Sequence, residues 1–221
     1  MKRGQVYKRQ LLADAVGLPQ MIAMKNLAES IRERCQRLPE GSLFTNEEFL
    51  SVGSRVAVNR AFSYLAQHQR LIRISRGLYT SPIVGRFGVR APAIEKVIRA
   101  LASRTHSTIV ASGARTANAM GLTHQVPVQE VFLTSGHPQV LRLGNLVVYI
   151  EPAPSWQLAL GATPAGDAIR ALAWLGQPCV SEATVKLRQR LPDSEWQRLI
   201  AVRSLLPEWM ARAIDGAIAS S

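Results

Sequence analysis

The chain has 221 residues, 47% of them apolar and 19% charged, which excludes a disordered or fibrous polymer and leaves room for two modest domains. Its net charge is +12 and is uneven: residues 1–90 hold 15 Lys and Arg against 6 Asp and Glu, whereas residues 91–221 hold 12 against 9. A regional excess of this kind points to a polyanion partner for the N-terminal part, nucleic acid ahead of an anionic membrane surface, with a merely solubilising surface as the bland alternative.

Residues 1–25 read as a basic leader or arm. From Asn26, "NLAESIRERCQRLP" places Leu27, Ile31, Cys35 and Leu38 at helical spacing, with Asn26 as N-cap and Pro39 as terminator. "EGSLFTNEEFLSVGS" then predicts a turn, a short extended piece at Leu43 and Phe44, and a short helix opened by a Thr45/Glu48 capping box and ending near Gly53. Ser54 caps a third helix, "RVAVNRAFSYLAQHQ". There Val58, Ala61, Phe62 and Leu65 form an apolar stripe, and Arg55, Asn59, Arg60, Ser63 and Gln67 share much of the polar side. "LIRIS" and "LYTS" follow as strands around Arg76-Gly77, where glycine permits the positive φ of a tight turn.

Helix, strand, helix, turn, helix and hairpin in this order predict a winged helix-turn-helix over residues 26–82. In that geometry the third helix enters the major groove and the hairpin lies over the neighbouring backbone. Arg70, Arg73 and Arg76 then stand where guanidinium groups neutralise phosphates or probe the minor groove. "SPIVGRFGVRAP" is rich in Gly and Pro and lacks periodicity, so residues 83–92 are read as a linker.

The second domain, residues 93–221, opens with a helix, "PAIEKVIRALASR", a strand, "STIVA", and a helix, "GARTANAMG". "QEVFLTSG", "QVLRLG" and "LVVYIEPAP" predict an antiparallel meander. From residue 165 four helical patterns follow, each broken by Gly or Pro. The fold class expected is α+β, a winged helix followed by a small antiparallel sheet with several helices.

Catalytic signals are weak. No phosphate-cradling GxxxxGK motif occurs, and His68, His106, His124 and His137 lack ligand spacing. Cys35 and Cys179 suggest neither a disulfide framework nor a zinc site. Asp167, Glu182 and Lys186 make a forced nuclease site, since Glu182 and Lys186 read more simply as an i,i+4 ion pair. Ser135 beside His137 lacks a nucleophile elbow and reads as a turn. Trp156, Trp174, Trp196 and Trp209 all fall in the C-terminal part, as core residues or partner anchors. The expectation is therefore a non-enzyme with no catalytic residue, metal or cofactor. No run of 18 apolar residues occurs and the first 24 residues lack a signal-peptide pattern, so a cytoplasmic protein with no membrane partner is expected.

Three blocks carry a resemblance: "LPEGSLFTNEEFLSVGSRVAVNRAFSYLAQHQRLIRISRGLYTSPIVGRFG", "ASGARTANAMGLTHQVPVQEVFLTSG" and "AGDAIRALAWLG". Their order and spacing over residues 26–177 resemble the AbiEi family of type IV antitoxins. That resemblance implies a winged-helix autorepressor binding double-stranded operator DNA, and a C-terminal domain that counters a nucleotidyltransferase-type toxin. By position, helix three and the RGLY hairpin would hold the DNA. The residues expected at DNA are Ser54, Arg55, Asn59, Arg60, Ser63, Arg73 and Arg76, acting in a monomer or a dimer. The alternatives are a stand-alone regulator, a protein-docking winged helix and, last, a nucleic-acid-processing enzyme.

Overall fold

The computed structural model describes residues 22–86 and 88–219. All but the last four residues of the expected basic leader lie outside them. The chain divides into two compact units with the boundary after Ala100.

In the first unit, helix α1 runs over residues 22–36 and buries Ala28, Ile31 and Cys35. Asn26, expected as its N-cap, is an interior residue instead. The reason is local: Ile-Ala-Met-Lys just upstream favours helix, and one asparagine inside costs only a fraction of a kcal/mol. Leu38, expected on the buried stripe, lies beyond the helix and is exposed.

Strand β1 (Leu43–Thr45) follows, then a single 3-10 turn (Asn46–Phe49) in place of the expected short helix. Glu48 Oε1 accepts both the Thr45 backbone N–H (3.3 Å) and the Thr45 hydroxyl (3.2 Å), so the capping-box pair holds the strand-to-turn junction.

Helix α2 (Arg55–Gln67) buries Val58, Ala61, Phe62 and Leu65, the stripe its periodicity predicts. Strands β2 (Ile72–Ser75) and β3 (Leu78–Thr80) form a hairpin around Arg76-Gly77. Gly77 sits at φ +74° with nothing within 4 Å of where a Cβ would project, so the requirement for glycine is conformational. The sheet order is β1-β3-β2, all antiparallel. Phe44, Phe49, Phe62 and Tyr79 pack between helix and sheet, with neighbouring ring centroids 4.9–6.3 Å apart. These edge and tilted contacts join β1, the 3-10 turn, α2 and β3 into one core.

Residues 83–92, read as a linker, carry a two-stranded antiparallel ribbon of β4 (Ile83–Gly85) and β5 (Gly88–Arg90). Helix α3 (Ile94–Thr105) comes next, and the unit boundary falls inside it.

The second unit is α+β. Strand β6 (Ile109–Ala111) leads to helix α4 (Gly113–Ala119), then strands β7 (Glu130–Thr134), β8 (Gln139–Leu143) and β9 (Leu146–Pro152). The sheet order is β6-β7-β9-β8. The expected meander is corrected here: β8 and β9 form an antiparallel hairpin, but β7 pairs with β9 in parallel, Glu130 against Val148 through Thr134 against Pro152. Strand β6 takes the other edge of β7, a pairing that alternation within single strands does not encode.

Helices α5 (Ser155–Leu158), α6 (Pro164–Leu175), α7 (Val180–Arg190), α8 (Asp193–Ala201) and α9 (Glu208–Ala219) complete the unit. Trp196 is buried in their common core, whereas Trp174 is exposed. Helix α4 lies so close to α6 that a Cβ on Gly113 would sit 2.6 Å from the Trp174 Cβ and against the Arg170 carbonyl. Only glycine allows that approach. No helix among the described residues is long and apolar enough to cross a membrane.

Candidate nucleic-acid interface

All seven residues expected at DNA, Ser54, Arg55, Asn59, Arg60, Ser63, Arg73 and Arg76, are exposed. Helix α2 explains this for its own members, because burying the 58/61/62/65 stripe turns 55, 59, 60 and 63 outward. The hairpin places Arg73 within β2 and Arg76 at the turn.

Their local engagements differ. Ser54 Oγ accepts the Ala57 backbone N–H at 3.3 Å and caps α2, leaving the hydroxyl proton to donate outward. Arg55 stands 3.5 Å from Glu47 in an exposed ion pair that is easily exchanged for another anion. Arg73 Nε donates to the Ser75 carbonyl at 3.3 Å. The side chains of Arg60, Ser63 and Arg76 make no hydrogen bond or ion pair among the described residues.

Asn59 is the constrained member. Its Oδ1 accepts from Asn46 Nδ2 at 2.7 Å, which fixes the amide's orientation and leaves its N–H groups and one oxygen lone pair for a partner. A bidentate contact to adenine uses both ends of the amide, and here the Asn46 bond shares the oxygen end.

One residue of this face escapes the polar pattern. Val56 is 60% exposed and stands one turn before Arg60. An exposed β-branched side chain there suits a methyl group or a sugar edge. The signal was present in the 56/60/63 spacing, but an apolar residue at the start of a helix reads by default as core.

Arg70 is also exposed. It lines a cleft of about 460 Å³ between α1 and α2, together with Lys25, Arg32, Tyr64 and His68. Arg32 is held there by Glu29, and His68 Nδ1 lies 2.8 Å from the Tyr64 carbonyl.

The residues of the forced nuclease reading each have a local ion partner. Glu182 pairs with Lys186 at 2.6 Å, and Asp167 pairs with Arg170. Arg170 is fully buried and donates to the carbonyls of Gln157 (3.2 Å) and Gly161 (3.1 Å). Burial pushes its guanidinium pKa down from the ordinary value, and the Asp167 carboxylate opposes that shift. Ser135 Oγ accepts the Thr108 backbone N–H at 3.0 Å and closes a turn. Among the described residues, no three or more His, Cys, Asp or Glu side chains gather closely enough to hold a metal ion.

Comparison with known proteins gives a family and one distant structure. The family described as "Family of unknown function (DUF6088)" matches residues 30–198. No curated protein matches the chain. A crystal structure of the RV2827C protein from Mycobacterium tuberculosis is similar at 14% identity and a TM-score of 0.43, over 88% of this chain and 81% of that one.

Proposed function

The chain belongs to the DUF6088 family, described as one of unknown function, and from that premise we propose that it is a DNA-binding transcriptional regulator whose first unit is a winged helix-turn-helix. Helix α2 is the recognition helix, and the β2–β3 hairpin is the wing. The order α1, β1, 3-10 turn, α2, β2, β3 and the sheet order β1-β3-β2 support this reading.

The observation that carries the proposal is the outer face of α2. It offers the side chains of Arg60 and Ser63 without partners among the described residues, beside the exposed amide of Asn59 and the exposed Val56. Arginine, amide and small apolar groups on one helix face are the chemistry that reads major-groove edges. The +9 charge of residues 1–90 adds a non-specific attraction to phosphates.

The proposal extends to an AbiEi-like antitoxin role, in which the C-terminal domain, residues 93–221, counters a nucleotidyltransferase-type toxin. Its support is the sequence resemblance, and co-expression of the chain with a toxin encoded beside it tests that part.

Fluorescence anisotropy on a duplex from upstream of the chain's own reading frame tests DNA binding. Arg76→Ala is expected to weaken binding to every sequence and to reduce the salt slope by about one. Arg60→Ala is expected to cost ~1–3 kcal/mol and to relax preference at one base position. Unchanged binding by both variants would overturn the assignment of α2 and the hairpin.

A further inference from the structure

The β4–β5 ribbon is a sheet by itself among the described residues, joined by three residue pairs: Ile83 with Arg90, Val84 with Val89, and Gly85 with Gly88. Two strands of this length are marginal alone in water. Something has to hold the ribbon, and the base of β5 shows what does.

Glu40 is the anchor. Its carboxylate accepts the Ala93 backbone N–H at 3.0 Å, takes Lys96 Nζ at 2.5 Å, and stands 3.5 Å from Arg90 Nη1. Three contacts from residues 90, 93 and 96 on one carboxylate tie the end of β5 and the start of α3 to the segment before β1.

Among the described residues the opposite face has no such tie. Val84 and Val89 are register partners, so their side chains project from the same face, and they are 67% and 58% exposed. A water-facing valine pair on a ribbon anchored at its base is a surface held ready for a partner.

Charge selects the partner. Residues 70–90 contain five arginines and no acidic residue. A second copy of the chain would bring like charges together along this segment, whereas a nucleic-acid duplex supplies the opposite charge. Residues 83–90 contain no amide or hydroxyl side chain, only Ile, Val, Gly, Phe and Arg. Apolar side chains flanked by arginine are the composition of a minor-groove contact, in which sugars and base steps meet the apolar groups and phosphates meet the cations.

We infer that the β4–β5 ribbon is a second duplex-contacting element, setting Val84 and Val89 into the minor groove. This rests on the proposed DNA-binding function.

Dimethyl sulfate footprinting on the upstream duplex separates the two, because it modifies guanine N7 in the major groove and adenine N3 in the minor groove. The wild-type chain is expected to protect both. Val84→Ser/Val89→Ser is expected to lose adenine N3 protection, keep guanine N7 protection and bind roughly tenfold more weakly. Val84→Thr/Val89→Thr keeps β-branching and strand propensity, and it is expected to lose adenine N3 protection too.

Full adenine N3 protection in both double variants would overturn the inference and leave the proposed function standing. So would a change in sedimentation mass with adenine reactivity unaltered, because the valine face would then join two copies. No binding by the wild-type chain would overturn the proposed function and this inference together.

Discussion

Asn59 and Arg60 are adjacent in sequence and both exposed, yet they differ in what their removal does. Asn59 takes a 2.7 Å bond from Asn46, the first residue of the 3-10 turn, whereas Arg60 has no partner among the described residues. Asn59→Ala is therefore expected to lower thermal stability by about 0.5–1.5 kcal/mol, with Arg60→Ala near neutral. Thermal unfolding of the two variants measures that difference, and equal midpoints would mean that the Asn46 bond contributes nothing.

The cysteines differ in the same way. Cys35 is buried in α1, and burial pushes its thiol up to about 12, so it stays protonated and shielded, while Cys179 is exposed. Thiol titration of the native chain is expected to count one reactive cysteine, and titration in denaturant two. Two fast-reacting thiols in the native chain would contradict the packing of α1. The Cys35 position on an apolar face was legible from spacing alone. The engagement of Asn59 was not, because its partner lies 13 residues away and reaches it only once the 3-10 turn folds back on α2.

At the scale of elements, α2 followed from the sequence because its signal is local: a serine cap and an apolar stripe at 3.6-residue spacing. The ribbon did not follow. Gly and Pro around residues 81–92 are the usual composition of a linker, and the contacts that tie down the end of the ribbon come from Glu40, about fifty residues upstream.

That anchor carries a pH dependence. The Lys96 ammonium, then the Ala93 N–H, hold the Glu40 carboxyl below the usual carboxylate range. A depressed folded-state value means that the stabilisation is complete above the ordinary carboxylate range and is lost as the pH falls through Glu40's own lower value. Wild-type unfolding midpoints are thus expected to exceed those of Glu40→Gln at neutral pH and to converge with them in acid. A constant gap across that range would count against the anchor.

For the whole molecule, the +9 of residues 1–90 sets the long-range behaviour of the proposed complex. Neutralising several phosphates makes log K fall linearly with log salt, by about 0.9 per phosphate for duplex DNA. Anisotropy from low to moderate salt is expected to show a steep slope that becomes shallower by about one for each arginine removed of Arg73 and Arg76. A flat salt response would point to a protein-docking role instead.

By itself the sequence determined the charge asymmetry, the helices with their buried stripes, and the turn at Gly77, all set by composition or by neighbours within a few residues. Only the tertiary structure decided that β7 runs parallel to β9, that Asn59 accepts from Asn46, and that a ribbon tied at its end by Glu40 stands where the sequence reads as a linker. Those outcomes depend on which distant groups packing brings together, and periodicity carries no information about that.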